Sequence, residues 1–326
     1  MSDETTHAVA GAGRAGWLLP AILSLLAFAA NSIFCRLALM HGDIDPESFT
    51  ALRLFSGGVF LLCLARLRTP SQAIGGSWKG SLSLFIYAYL FSIAYVELGA
   101  GVGALILFGA VQVTMFLCGW LRGERFQPRV MFGMLAAFAG LLALLLPGAD
   151  APPLDSALIM VASGAAWGVY SLIGKGSANP LADTAGNFLR SLPLPLLPLL
   201  IVIVHGGLHI SPAGVLYALG SGVLASGVGY AIWYQVVRQI SSHQAATLQL
   251  SVPVIASLVG VLLLGEPISL RLTLISIIVL AGVGVALMPA RSRLPSSDKG
   301  DAIAGGGKIL RSPLGNRGKD CSAHRR

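Results

Sequence analysis

The chain has 326 residues, of which 55% are hydrophobic and only 11% charged, with a mean hydropathy of +0.78 and a formal net charge of +8. Soluble domains carry roughly a quarter charged residues because their surfaces face water, so this composition excludes a soluble globule. Nor does the positive charge describe a nucleic-acid-binding face: nine of the 22 Lys and Arg lie in the tail 291–326 and most others punctuate loops between apolar runs, a signal of membrane topology rather than of phosphate binding.

A membrane-spanning helix needs about 20 mostly apolar residues. Runs of that kind cover 17–40, 48–65, 80–97, 99–121, 130–147, 155–175, 184–204, 213–236, 244–264 and 270–289. They predict an all-α integral membrane protein of ten transmembrane helices, with no room for a soluble domain before Pro289. The first run has a second reading. Arg14, the apolar stretch 17–28 and the small residues around Ala27-Phe28-Ala29-Ala30 have the outline of a secretory signal. The apolar character nevertheless continues through Ile33 and Phe34 to Met40, as a span requires. The closing segment 291–326, rich in Gly, Ser, Lys and Arg, has too few apolar residues to pack and reads as a disordered basic tail attracted to anionic headgroups.

With the N-terminus in the cytoplasm, the inner connections hold Arg66, Arg68, Lys79, Arg122, Arg125, Arg129, Lys175 and Arg238. The outer ones hold Asp43, Asp45, Glu47, Asp150 and Asp155, with Arg271 the basic exception. Basic residues concentrate on the cytoplasmic side of membrane proteins, so both termini, 1–16 and the tail, are expected in the cytoplasm of a multi-pass cell-membrane protein.

The chain also repeats itself. Gly123-Glu124-Arg125-Phe126 precedes a span that contains Gly140 and ends Leu146-Pro147; 142 residues on, Gly265-Glu266-Pro267-Ile268 precedes one that contains Gly282 and ends Met288-Pro289. Ala29-Ala30-Asn31 matches Ala165-Ala166-Trp167, and Leu52-Arg53 matches Leu189-Arg190. Five spans per copy, over 17–148 and 149–290, is an odd number, so the second copy enters the membrane inverted. Inverted repeats hold substrate near the midplane between the halves in many secondary transporters.

Asn31 in its apolar run, the Thr50-Ala51-Leu52-Arg53 start of the second span, and the Gly-Glu-Arg and Gly-Glu-Pro loops before Gly-containing final spans resemble the drug/metabolite transporter superfamily, and within it the EamA-type family. That resemblance covers about 17–290. It implies ten helices, both termini inside, and export or exchange of amino acids, drugs or other small metabolites, without a prosthetic group. In one respect the chain departs from the family: the proline that members often carry midway in the fourth and ninth spans is present as Pro253, but its counterpart in the fourth is Val111.

Polar groups inside a bilayer are costly, so each needs a reason. Asn31 and Trp167 occupy matching places in the first and sixth spans, Gln112 lies halfway along the fourth, and Tyr87, Tyr230, Trp233 and Gln249 lie in the third, eighth and ninth. Together they form a candidate amphipathic substrate pocket; singly, each is equally readable as helix packing or an interfacial aromatic. Arg53 and Arg190 are readable as headgroup-reaching or helix-end residues, or as a clamp for a carboxylate. Glu97 is readable as a proton-coupling site or as a solvated rim residue. Glu124 and Glu266 are expected to fix the turns before the last span of each half. His41, His205, His209 and His243 are too scattered for a metal site, Cys35, Cys63, Cys118 and Cys321 lack paired spacing, and no nucleotide cradle is present. The expected partners are therefore a small-molecule substrate and membrane lipids, with neither cofactor nor nucleic acid, and a homodimer is compatible with the pattern. The leading function is a secondary transporter; the alternatives are a lipid flippase and a membrane-embedded lipid-modifying enzyme.

Overall fold

A computed structural model describes residues 16–287, apart from 69, 147–150, 176, 241–247 and 268. The basic tail, Arg14, Pro147, Asp150, His243, Met288, Pro289 and Cys321 lie outside the described residues. In chain order the helices are α1 (Leu18–Met40), α2 (Pro46–Arg68), α3 (Trp78–Ala94), α4 (Ala100–Leu121), α5 (Pro128–Leu145), α6 (Leu154–Gly174), α7 (Pro180–Ser191), α8 (Leu196–Val204) and α9 (Pro212–Leu219). A π-helical segment (Gly220–Val228), α10 (Gly229–Val237), α11 (Ser251–Leu264) and α12 (Leu270–Leu287) complete the order. Among the described residues six stretches are long and apolar enough to cross a membrane: Leu18–Met40, Pro46–Arg68, Ala100–Leu121, Leu154–Gly174, Pro180–Val204 and Pro212–Trp233; three shorter apolar helices accompany them. Large apolar side chains such as Leu19, Phe132, Leu197, Leu262, Leu263 and Leu270 stand exposed. Water would penalise such a surface and hydrocarbon would not.

Helix ends follow local chemistry. Ser77, Asn179 and Ser211 each accept a hydrogen bond from a backbone N–H in the first turn of α3, α7 and α9, satisfying a donor the helix leaves free. Asp45 does the same for α2, accepting from Ser48 N at 2.8 Å. The first run continues as one helix to Met40, with Asn31, Cys35 and Ala38 buried in the bundle. The seventh run, 184–204, is not one helix as expected: it breaks between α7 and α8 across Leu192-Pro193-Leu194-Pro195, where each proline removes a backbone donor. Pro253 does not sit midway along its helix either. It stands in the first turn of α11, where its missing N–H leaves no intrahelical bond unmade.

The repeat is visible in the turns and in the packing. Gly123 and Gly265, 142 residues apart, both adopt left-handed backbone, with φ of 85° and 65°, a conformation glycine reaches without steric cost. Gly140 and Gly282, the other matched pair, form the seam between α5 and α12. A methyl at Gly282 would lie 2.7 Å from Gly133 O and 2.9 Å from Ala137 N, and one at Gly140 2.7 Å from Val279 Cγ2. Apolar helices gain little from burial in lipid and associate through such close approach.

The most extensive helix pairings join the first half to the second: α5 with α12, α3 and α4 with α6, α2 with α7 and with the π-helical segment, and α4 with α11. Loops cluster by end. At one end, Ile44 bridges Ile210, Ser211 N donates to Asp43 O at 2.8 Å and His209 N to Asp45 Oδ2 at 3.1 Å. Ser156 Oγ donates to Glu97 Oε2 at 2.5 Å, and Arg271 donates to the carbonyls of Ala143 and Leu146. These are the connections expected outside. Among those expected inside, Gly76 N donates to Asp183 Oδ1 at 2.9 Å and Ser77 N to Asn187 Oδ1 at 2.8 Å.

Candidate functional site

A small cavity lies inside the bundle where α1, α3, α4, α6, the π-helical segment and α10 meet. Its polar and aromatic lining includes Asn31, Tyr87, Trp167, Ser226, Tyr230 and Gln249. Five of the seven residues expected in a substrate pocket therefore share one cavity, and the repeat mates Asn31 and Trp167 both reach it. Its volume, about 30 Å³, is the share of one water molecule in the liquid.

Its polar side is a connected chain. Asn31 Nδ2 donates to the Tyr87 hydroxyl at 3.2 Å, and Asn31 Oδ1 accepts from Ser221 Oγ at 2.7 Å. Arg53 Nη2 donates to the same Tyr87 hydroxyl at 2.9 Å. Asn31, Tyr87, Arg53 and Ser221 are all buried, Arg53 to 1% exposure. Arg53 therefore does not reach headgroups. Its guanidinium carbon sits 5.1 Å from the centre of the Tyr87 ring and 5.2 Å from that of Phe91, favourable ground for a cation. Its Nε and Nη1 have no hydrogen-bond partner among the described residues.

The other side is aromatic. Trp167 packs on Tyr87 at 4.6 Å between ring centres and stacks on Tyr230 at 5.4 Å, with Phe28 5.8 Å from Tyr230. Such a wall takes a planar, apolar or cationic group. Ser226 Oγ, also in the lining, is buried with no partner among the described residues.

The remaining expected residues stand elsewhere. Gln112 is buried on α4 but outside the lining. Trp233 packs edge-on against Phe28 at 5.7 Å, one layer behind the cavity. Arg190 donates to the carbonyl of Gly75 and so ties α7 to the connection before α3; it does not share a clamp with Arg53. Glu97 follows the end of α3, exposed at the rim, where it accepts from Ser156. Two residues that sequence reasoning did not select belong to the site: Ser221, which orients Asn31, and Ser226. Both lie in the glycine-rich stretch 220–229, a signal for close backbone approach.

A second, larger cavity is a cleft of about 850 Å³ at the rim between α4, α11 and α12. Its charged groups serve the fold. Both Glu266 carboxylate oxygens accept from Ala100 N at 2.9 Å, at the start of α4. Arg36 stands 3.5 Å from Glu266 and donates to the carbonyls of Tyr95 and Val96 that end the third span. Each charge thus meets the helix end of opposite polarity; the Glu266 side chain, expected to fix the turn before the last span, instead holds the start of α4 in the other half. Among the described residues no group of His, Cys, Asp and Glu is placed to hold a metal ion.

Comparison with known proteins places this geometry. The family model described as EamA-like transporter family matches the chain twice, over residues 15–146 and 155–288. An uncharacterized protein of Pseudomonas aeruginosa is 53% identical over 277 residues, 85% of this chain and 96% of that one. A probable amino-acid metabolite efflux pump of Salmonella typhimurium is 23% identical over 287 residues, 84% of this chain and 95% of the pump. A probable terminal-alkyne amino-acid exporter of Streptantibioticus cattleyicolor is 28% identical over 194 residues, 57% of this chain and 64% of the exporter. One crystal structure superposes with a TM-score of 0.59 at 20% identity, over 82% of this chain and 96% of its own; it shares the fold.

Proposed function

Because the chain belongs to the EamA-like transporter family, we propose that it is a secondary carrier that exports or exchanges a small amphipathic metabolite by alternating access. The observation that carries this reading is the convergence of Asn31 and Tyr87 from the first half with Trp167, Tyr230 and Gln249 from the second on one buried cavity. A site built from both halves is dismantled and rebuilt when one half rocks against the other, which is what alternating access requires.

In this reading the chain forms ten spans as two inverted five-helix repeats, 17–148 and 149–290, in the cytoplasmic membrane with both termini inside. The clustering of the odd-numbered connections at one end supports it, as do the shared left-handed turns at Gly123 and Gly265. Relatives described as amino-acid exporters make amino-acid-like metabolites the first compounds to try. The test is uptake of a pooled, labelled metabolite panel into proteoliposomes, with and without an imposed pH gradient. Saturable uptake of any member supports the carrier. Failure to move any member, by a protein shown to be folded, would sink it.

A further inference from the structure

Arg53 is a fixed positive charge in the interior of the bundle with no counter-charge among the described residues. Arg36 has its carboxylate in Glu266, whereas the groups around the Arg53 guanidinium include the rings of Tyr87 and Phe91, the hydroxyls of Tyr87 and Tyr230 and the Cys35 thiol, with no carboxylate among them. The other arginines at span ends behave differently: Arg36, Arg190 and Arg271 each reach backbone carbonyls. Arg190 occupies the same place in the second repeat, so an architectural role common to both halves would have given Arg53 a similar partner. Instead Nε and Nη1 are buried and unpaired. A buried charge without a partner is strongly unfavourable, and an ionisable residue kept at that depth marks a functional site.

The hydroxyl of Tyr87 shows how that charge reaches the cavity. A phenol offers one O–H and two acceptor positions. Arg53 Nη2 and Asn31 Nδ2 both donate to this oxygen, which leaves the Tyr87 O–H as the group's own donor, on a side chain that lines the cavity. Ser226 Oγ, which has no partner among the described residues, adds a second hydroxyl to the same lining. Two O–H donors, one polarised by a guanidinium directly behind it, form a site for a negatively charged oxygen.

We propose that the transported molecule carries a carboxylate, received in the cavity by the hydroxyls of Tyr87 and Ser226 and neutralised by Arg53 behind them, while its remaining planar or apolar part packs against the wall formed by Trp167 and Tyr230. This rests on the carrier reading above and adds the charge of the cargo to it. Arg53 is thereby a specificity-determining residue.

The test uses full-length protein in liposomes and a panel of matched pairs, each a labelled carboxylic acid and its primary amide, with aliphatic and aromatic side chains and with and without an α-amino group. Wild type is expected to take up at least one acid with an apparent affinity ten times or more that of its amide. Arg53→Gln is expected to erase that ratio by weakening the acid far more than the amide. Arg53→Lys, which restores charge, is expected to recover part of the ratio, and Arg190→Gln to keep it. Tyr87→Phe, which retains the guanidinium and removes the donor, reads the same ratio should Arg53→Gln not fold. Amides carried as well as their acids would overturn the carboxylate assignment and leave the carrier standing. No uptake of either class would remove the carrier reading and this inference with it.

Discussion

Asn31→Asp puts the electrostatic argument to its hardest trial. The change is nearly isosteric and places a carboxylate one hydrogen bond from Tyr87 and two from Arg53, along links of 3.2 and 2.9 Å. At about 6 Å and an effective dielectric near 20, opposite unit charges attract by ~3 kcal/mol. That is about a hundredfold in affinity at about 1.4 kcal/mol per decade. The variant would thus carry its own counter-ion, and an anionic cargo would have to compete with it. Uptake of the best acid should show an apparent affinity lowered about a hundredfold at neutral pH. Protonation of the introduced carboxylate abolishes the competing charge, so acidification through its pKa should return transport toward wild type. Asn31→Ala separates charge from contact. It removes the bonds to Tyr87 and Ser221, a loss of about 1–3 kcal/mol for two neutral hydrogen bonds, and should show no such acid rescue. An Asn31→Asp variant that carries acids with unchanged affinity at neutral pH would refute the reasoning.

Three further outcomes follow from the same structure. Tyr87→Phe takes from Arg53 the hydroxyl that accepts its Nη2 hydrogen bond and should lower the thermal midpoint in detergent by an amount equivalent to about 2–3 kcal/mol, the worth of a bond to a charged group. Gly282→Val drives a branched side chain against backbone atoms of α5 at 2.7 and 2.9 Å, where nothing can swing aside. Overpacking of this kind costs about 1–3 kcal/mol, to be read as reduced yield and midpoint, with Gly282→Ala intermediate. Glu266→Ala removes the acceptor of Ala100 N and the partner of Arg36 and should destabilise by about 1–3 kcal/mol, as caps and helix-end charges do; Glu266→Gln should recover about half, and a midpoint unmoved by either change would show that the rim contacts are idle.

Much of the site was legible because lipid makes polar residues conspicuous. Asn31, Tyr87, Trp167, Tyr230 and Gln249 stood out in apolar runs, and they meet. Gln112 and Trp233 stood out equally and do not line the cavity. Which way a side chain points depends on the rotation of its helix. In a soluble helix the apolar stripe reveals that rotation, but here the core-facing and lipid-facing sides are both apolar. Arg53 and Arg190 show the limit of repeat reasoning: identical places in the two copies, yet one is buried beside Tyr87 and the other holds the Gly75 carbonyl. Equivalent residues of the two copies thus stand in different surroundings. The break after Ser191 was written in Pro193 and Pro195, whereas the π-helical segment had only its glycines to announce it.

That segment gives the stretch Pro212–Val237 a property a regular helix lacks. Each of its turns closes over one residue more than an α-turn, so slack is wound into the chain just before α10. Letting out one residue of that slack would turn everything beyond it by about 100° and shift it by about 1.5 Å. Tyr230 would then leave the stack with Trp167, and Phe28 would lose its face. The helix can exchange the wall it presents to the cavity by unscrewing in place, with the start of α9 still held at Asp43 by Ser211.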